Sequence, residues 1–293
     1  MKNSGGLITK ARLAFQKRLL EKLLLLDASG VASNADSNNK ASKDIALGIA
    51  ERLASNLGSK LLKGKKLPAQ TAGDTFEKIT CDFIAETFPK LSALRPGKWE
   101  VRRINARSGL TIADFDQYSH LTALAKIAKD NPDLAIVLGN DYTIAPDVVV
   151  ARQLETDESI NNKIIIVDDK TARRAVIRAV NNGAPVLHAS ISCKWTMRSD
   201  RAQNARSEAL NLIRNRKGRT PHIAVVTGEP APSRLASLAI GTGDIDCVYH
   251  IALDELVEAV KAINQSEASD LLRNMIEGKR LKDIADLPLD IST

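Results

Sequence analysis

The feature that most constrains the fold is a change in apolar patterning along the chain. The first part has helical periodicity, with apolar residues recurring every three or four positions, over residues 9–26, 44–62, 73–88 and 116–138. The later part holds short apolar runs rich in β-branched residues, with turn signals between them. These runs predict strands at residues 142–151, 163–167, 186–195, 222–227 and 247–252.

Helical patterns also interleave with the later strands, at residues 202–215, 254–263 and 267–276. Leading helices followed by alternating strands and helices predict an α/β fold, with helices packed around a central sheet. No Pro/Gly-rich linker divides the chain. We therefore expect one domain over residues 1–293, with a helical part over about 1–135, a sheet core over about 136–253 and C-terminal helices over 254–293.

Composition narrows the class of protein. Hydrophobic residues make up 44% of the 293 residues and charged residues 26%, which is typical of a globular protein. No apolar run is long enough to span a bilayer, and the start lacks a signal-peptide pattern, so we expect a cytoplasmic location. Cys81, Cys193 and Cys247 are too widely separated for a zinc site and are expected to be free thiols.

The net charge of +7 is concentrated in two segments. Residues 1–66 carry 13 basic and 5 acidic side chains, and residues 194–219 carry 8 basic and 2 acidic side chains. Such clusters favour a polyanionic partner, most simply nucleic acid. A solvated basic surface is the alternative.

Two predicted strands carry residues suited to phosphodiester hydrolysis, which needs a hard divalent cation, usually Mg²⁺, on oxygen ligands. Asp147 opens one strand and Lys194 ends another, and a lysine can orient water or offset developing charge. Nucleases commonly have a second carboxylate two residues before the lysine, where this chain has Ser192. Glu208, on the next predicted helix, is the candidate replacement, and Glu77 is a further candidate.

Each of these residues also has a plain structural explanation. Asp147 can end a turn, Lys194 can extend its charge from a strand end, and Glu208 can be a surface residue. Glu77 can pair with a structural arginine. Cys193 is expected to face the core, with its backbone carbonyl beside the lysine as a possible metal ligand.

A recognition cluster is predicted where the strand gives way to the helix. Arg198 and Arg201 suit the O6 and N7 atoms of guanine, while Asp200 suits the N4 amino group of cytosine. Ser199 or Asp200 is expected to cap the helix. The alternative is a capped helix with an internal Arg–Asp pair.

Several segments resemble a known family: residues 190–208 above all, with 31–36, 67–77, 141–147 and 278–290. They are similar to the CCGG-recognising subgroup of type II restriction endonucleases, within the PD-(D/E)xK superfamily. The resemblance covers essentially the whole chain. It implies a restriction-endonuclease-like α/β core with a mixed β-sheet flanked by helices.

The resemblance also implies residue roles. Asp147 matches the metal-binding aspartate, Lys194 the catalytic lysine, Glu208 the displaced acidic residue and Glu77 an additional glutamate. The metal ligands would be Asp147, Glu208 and the backbone carbonyl of Cys193. The DNA-contacting set would be Arg198, Asp200 and Arg201 at the CCGG core, Asp36 and Gln70 at the outer G·C pair, and Ser192.

By the same resemblance, the expected activity is Mg²⁺-dependent cleavage of double-stranded DNA at GCCGGC, after the first G. The expected assembly is a homotetramer that holds two DNA sites, with a cognate DNA methyltransferase as its functional companion. Three alternatives stay open. They are a DNA-binding protein of nuclease fold that has lost cleavage, a restriction enzyme with a different outer base pair, and a repair or junction nuclease of the same superfamily.

Overall fold

A computed structural model describes residues 5–104, 111–131, 133, 136, 146–197, 199–241 and 243–293. Its centre is a six-stranded sheet in which the strands lie in chain order. Neighbouring strands from β1 to β3 are antiparallel, and those from β3 to β6 are parallel, so the sheet is mixed. The strands are β1 (Trp99–Arg103), β2 (Val148–Arg152), β3 (Val186–Lys194), β4 (His222–Thr227), β5 (Cys247–His250) and β6 (Leu281–Asp283).

Helices flank this sheet, as the α/β pattern predicts. Five precede β3 in the described residues: α1 (Leu7–Lys22), α2 (Lys40–Asn56), α3 (Ala69–Thr87), α4 (His120–Asp130) and the short α5 (Asp157–Ile160). The others are α6 (Ser199–Asn215), α7 (Pro232–Ala239), α8 (Leu253–Ala262), α9 (Ser266–Glu277) and α10 (Leu287–Asp290).

The central strand β3 is covered on both faces, which is why its nine residues are almost all buried. Successive side chains of a strand point to opposite faces. Phe76 of α3 packs against Trp195 just beyond the strand, with ring centroids 5.3 Å apart. On the other face, Ser192 reaches Glu208 of α6. The end of β3 therefore lies between α3 and α6.

Antiparallel pairing of β2 with β3 brings the predicted catalytic residues together. Val148 pairs with Ile191, so the residue before β2 lies beside the residue after Ile191. Those residues are Asp147 and Ser192, which are 45 positions apart in sequence. Lys194 ends the same strand. The register of one strand pair thus assembles the site.

Several predicted elements differ from the structure. The strand predicted at residues 163–167 is wrong: no strand forms there, and Ile164, Ile165 and Ile166 are 69, 85 and 60% exposed. The sequence analysis missed β1, β6 and α7. Residues 142–145 of another predicted strand lie outside the described residues, and its remainder forms β2.

Other expectations are met. Cys81, Cys193 and Cys247 are all free thiols. In the described part of the chain, no helix has the length and apolarity to cross a membrane.

Arg12 of α1 donates to Glu255 of α8 and Asp283 of β6, which joins the first helix to the last strand.

Candidate active site

Three donors from β3 hold Asp147 in place directly before the start of β2. Its Oδ2 atom accepts from the backbone N–H of Cys193 at 2.6 Å and from the Lys194 ammonium at 3.0 Å. The Ser192 hydroxyl lies 3.5 Å from the same oxygen. Because the donors sit on one strand, the carboxylate orientation follows from the sheet itself.

Glu208 approaches the same point from α6. Its Oε2 atom accepts from the Ser192 hydroxyl at 3.2 Å and lies 4.0 Å from the Lys194 ammonium nitrogen. The two predicted acidic ligands therefore converge on one hydroxyl and one ammonium. Ser192, predicted as a DNA contact, is 8% exposed and sits between the carboxylates. Glu208, the predicted replacement for an acid at the serine position, therefore lies in direct contact with that serine.

The charges at this point influence one another. Burial raises the pKa of Glu208 above its ordinary value, the Lys194 ammonium opposes that rise, and Asp147 adds to it. Burial lowers the pKa of Lys194, but attraction to Asp147 and Glu208 outweighs burial, so its pKa lies above the ordinary value. Lys194 is thus a cation at neutral pH, placed between two acidic groups.

Glu77 is near this centre but is held by a different partner. Its Oε2 atom accepts from Arg103 of β1 at 2.9 Å, and Arg103 also pairs with Asp74. Burial raises the pKa of Glu77, the Arg103 hydrogen bond lowers it, and the charge of Asp147 raises it. The expected alternative of an arginine pair at Glu77 is therefore observed. Arg103 was missed because it lies on β1, whose charged residues give no apolar strand signal.

The donor set fits a hard divalent cation. Asp147 and Glu208 present carboxylate oxygens to a common cationic group, and Mg²⁺ is typically held by one or two carboxylates plus water and phosphate oxygens. Among the described residues, no group of three or more His, Cys, Asp or Glu side chains is arranged to hold a metal ion. A metal here would thus rely on two carboxylates, and backbone or substrate oxygens would complete its coordination.

The predicted core-reading residues lie at the start of α6. The helix begins at Ser199, so Ser199 and Asp200 lie in its first turn, and Asp200 is an acidic residue there. Asp200 is exposed. Arg201 donates to the backbone oxygen and the hydroxyl of Thr196, at 3.3 and 3.1 Å, rather than to Asp200. Arg198 lies outside the described residues.

A cavity beside Arg201 connects the two basic segments of the sequence. Lys66, the last residue of the first segment, lines it together with Leu67, Ala69 of α3 and Arg201 of the second segment. Basic residues from distant parts of the chain therefore meet at this cavity. Gln70, which follows Ala69 in α3, is exposed.

Asp36 is tied to a residue that the sequence analysis did not single out. Its Oδ2 atom pairs with Arg234 of α7, and Arg234 also lies 3.8 Å from Glu229. Glu229 is fully buried and accepts from the backbone N–H of Met197 at 2.6 Å. No sequence motif marks this network, because its members come from three separate segments.

Two solved structures resemble the protein only distantly. A complex of restriction endonuclease PspGI with substrate DNA has a TM-score of 0.35 and 15% identity, covering 97% of this chain and 90% of that chain. The type IIF restriction endonuclease Bse634I with cognate DNA has a TM-score of 0.36 and 14% identity, covering 86% and 91%. Both scores are low, so the family assignment rests on sequence.

The sequence matches are extensive. The family model described as NgoMIV restriction enzyme matches residues 15–293. The type II restriction enzyme NgoMIV of Neisseria gonorrhoeae is 54% identical over 287 residues, covering 98% of this chain and 99% of the relative. The chain therefore belongs to the NgoMIV family of type II restriction enzymes, and it is a sequence-specific DNA endonuclease.

Proposed function

We propose that this endonuclease hydrolyses double-stranded DNA at GCCGGC, after the first G, with Mg²⁺ as its metal. The observation that carries the catalytic part is the convergence of the Asp147 and Glu208 carboxylates on the Lys194 ammonium. Restriction endonucleases generally use a divalent metal. The recognition sequence is proposed from the family resemblance of the residues at the start of α6 and around Asp36.

Asp147 and Glu208 would hold the cation, together with the backbone carbonyl of Cys193. When bound, a divalent cation polarises the scissile phosphate and activates a water molecule. The Cys193 N–H and the Ser192 hydroxyl fix the orientation of the carboxylates before any ligand arrives. This preorganisation supports the assignment, because fixed donors need no rearrangement during the reaction.

Lys194 would act as a charged donor at the phosphate. Its attraction to Asp147 and Glu208 raises its pKa, so it stays an ammonium throughout the neutral range. In that form it can orient the attacking water and offset negative charge that develops on the phosphate oxygens. Glu77, which Arg103 holds nearby, would be an additional acidic group of the same centre.

Sequence would be read on both sides of the active site. Arg198, Asp200 and Arg201 would contact the CCGG core in the major groove, and Asp36 and Gln70 would contact the outer G·C pair. The meeting of Lys66 and Arg201 at one cavity supports a nucleic-acid surface there. Ser192, which lies between the carboxylates, is proposed as a further contact to the DNA.

The assembly would be a homotetramer that binds two DNA sites. A palindromic site requires two subunits related by two-fold symmetry. Three consecutive exposed isoleucines, Ile164 to Ile166, support a further contact between subunits, since large exposed apolar patches mark interfaces. The proposal also includes one domain per chain, a cytoplasmic location and a companion DNA methyltransferase. The single domain is supported by one hydrophobic cluster that extends from Ala11 to Ile291.

Mapping the ends of a digested plasmid tests the proposal. With Mg²⁺, we expect discrete fragments whose ends all fall after the first G of GCCGGC, and with EDTA we expect none. Discrete ends at other CCGG-containing sequences would reject the proposed outer pair. Nonspecific degradation would reject the proposed site altogether. Binding without cleavage in every divalent metal would favour a DNA-binding protein that has lost catalysis.

A further inference from the structure

Arg234 connects Asp36, a proposed reader of the outer base pair, to the loop between β4 and α7. One guanidinium nitrogen, Nη2, pairs with Asp36, and the other, Nη1, lies 3.8 Å from Glu229. Asp36 belongs to the loop before α2, while Glu229 lies between β4 and α7. A single arginine thus joins a partly exposed aspartate to a fully buried glutamate.

Both oxygens of Asp36 are engaged, which fixes the orientation of the carboxylate. Its Oδ1 atom accepts from the backbone N–H of Asn38 at 3.0 Å, while Arg234 donates to Oδ2. An ionised carboxylate has about four lone-pair sites, so it can accept several hydrogen bonds at once, including one from a base amino group. Its side chain is 25% exposed, which leaves it accessible from solvent.

Glu229 links the same arginine to the segment that carries the core readers. The carboxylate has no exposed surface and accepts from the backbone N–H groups of Met197 and Ala231, at 2.6 and 3.1 Å. Met197 directly precedes Arg198 and the first turn of α6. A second contact also joins the loop before α2 to the loop after β4, because the Asn34 amide donates to the backbone oxygen of Gly228 at 2.8 Å.

We propose that Arg234 is a positioning residue for specificity, which orients Asp36 for the outer base pair and, through Glu229, couples it to the loop before α6. The inference rests on the proposed function, since it takes Asp36 as the reader of the outer pair. In this proposal Arg234 acts through Asp36 rather than on a base. Loss of Arg234 removes its hydrogen bond to Oδ2 of Asp36 and the positive charge nearest to buried Glu229, which keeps its backbone donors.

The test compares cleavage of four palindromes that share the CCGG core and differ in the outer pair: GCCGGC, ACCGGT, TCCGGA and CCCGGG. For each, kcat/KM is measured with the unmodified protein, Arg234→Gln, Asp36→Asn and the double variant. We expect Arg234→Gln still to cut GCCGGC. Its preference, the ratio of kcat/KM at GCCGGC to kcat/KM at the other three sites, should fall roughly tenfold or more, which is the size of one base contact. The double variant should lose no more than Asp36→Asn alone.

Arg273→Gln is the matched control. Arg273 pairs with Asp270 on α9, both side chains are more than half exposed, and the substitution removes the same charge. We expect its preference among the four sites to equal that of the unmodified protein. Arg234→Lys keeps the charge but offers one nitrogen in place of two, so it should show an intermediate preference. It also replaces Arg234→Gln if thermal melting shows that the glutamine variant does not fold.

The outcomes separate this inference from the proposed function. If the unmodified protein has no preference for GCCGGC, the proposed recognition sequence is wrong, and the inference falls with it. If Asp36→Asn alters the preference but folded Arg234 variants keep it, the inference is overturned while the proposed function stands. Equal loss of rate at all four sites would also overturn it, because a purely structural role changes rates without changing their ratio.

Discussion

At the scale of single residues, the site depends on acidic groups that are costly to bury. The carboxylates of Asp147 and Glu208 lie side by side, and a lysine offsets only part of their repulsion. The balance leaves the pKa of Glu208 above its ordinary value. A cation that binds both carboxylates would offset their repulsion. The same geometry that destabilises the metal-free protein therefore favours metal binding.

Asp147→Asn should abolish cleavage without abolishing DNA binding. It removes a proposed metal ligand and keeps the size of the side chain, and no proposed base contact depends on it. We expect single-turnover cleavage in Mg²⁺ to fall by about a thousandfold or more, since metal stabilisation of the transition state is worth several kcal/mol. Affinity for a GCCGGC duplex in Ca²⁺ should stay within about threefold, well below the value of one base contact.

The control for Asp147→Asn is Asp44→Asn, which removes a carboxylate from an exposed ion pair with Lys40 and should affect neither measurement. Loss of DNA binding by folded Asp147→Asn would contradict the role assigned to Asp147.

Glu208→Gln should make the metal-free protein more stable at neutral pH while it abolishes cleavage. A folded-state pKa above the unfolded value means that the folded protein binds more protons between the two values, so stability falls as pH rises through that window. Above the window, the folded wild type is destabilised by a buried, ionised Glu208, and the glutamine variant is not. In EDTA at pH 7 we therefore expect a higher Tm for the variant.

Below about pH 4, the ordinary range of a glutamate pKa, the difference in Tm should disappear because both states of the wild type are protonated. Glu51→Gln, at an exposed position of α2, is the control and should leave Tm unchanged at either pH. A lower Tm for Glu208→Gln at neutral pH would show that ionised Glu208 stabilises the fold.

At the scale of elements, apolar periodicity predicted the long helices and the inner strands because burial determines both. It failed at the sheet edges. Strand β1 contains Glu100, Arg102 and Arg103, and charged side chains are typical of edge strands and carry no apolar signal. Strand β6 has only three residues. The run at residues 163–167 has strand composition but no partner strand. Sequence composition cannot distinguish such a run from one that pairs in a sheet.

The candidate catalytic residues could be chosen from sequence, whereas their partners could not. Asp147, Lys194 and Glu208 belong to a recognisable pattern, and the structure brings them together. Arg103 and Arg234 meet their acidic partners only because distant segments pack together. Such contacts depend on tertiary packing, which local pattern does not encode.

The loop between β4 and α7 supports the end of β3, and Gly228→Ala tests this support. A Cβ atom on Gly228 would lie 2.8 Å from the Trp195 ring and 3.2 Å from Ile251. Trp195 follows Lys194, so we expect the added methyl group to displace the catalytic strand end. Overpacking of this kind costs about 1–3 kcal/mol, measured by urea unfolding, and cleavage should also slow.

Gly5→Ala is the control for Gly228→Ala, because a Cβ atom there meets only Thr9, at an ordinary contact distance of 3.6 Å. It should leave stability and cleavage nearly unchanged. An unaltered free energy of unfolding for Gly228→Ala would mean that Trp195 moves aside without penalty, contrary to its close packing on Phe76.

At the scale of the whole molecule, the exposed isoleucines are the surface feature that monomeric folding leaves unexplained. Ile165→Asp places a charge in the middle of the patch, where it would be desolvated by a neighbouring subunit. We expect light scattering to give a tetramer for the wild type and a smaller assembly for the variant.

Leu94→Asp is the matched control, since Leu94 is 59% exposed and lies apart from the three isoleucines in sequence. It should keep the tetrameric mass. A tetramer that persists in folded Ile165→Asp would exclude this patch as an essential contact between subunits.

Under the proposed assignments, helix α6 carries a base reader and a metal ligand on one rod. Asp200 lies in its first turn and Glu208 about 12 Å further along the axis, at 1.5 Å per residue. A tilt of α6 that disturbs the contact of Asp200 with a base edge also moves the Glu208 carboxylate away from Asp147. Mismatched DNA would therefore weaken metal binding as well as DNA binding, so one rigid helix would make both binding and cleavage depend on the correct sequence.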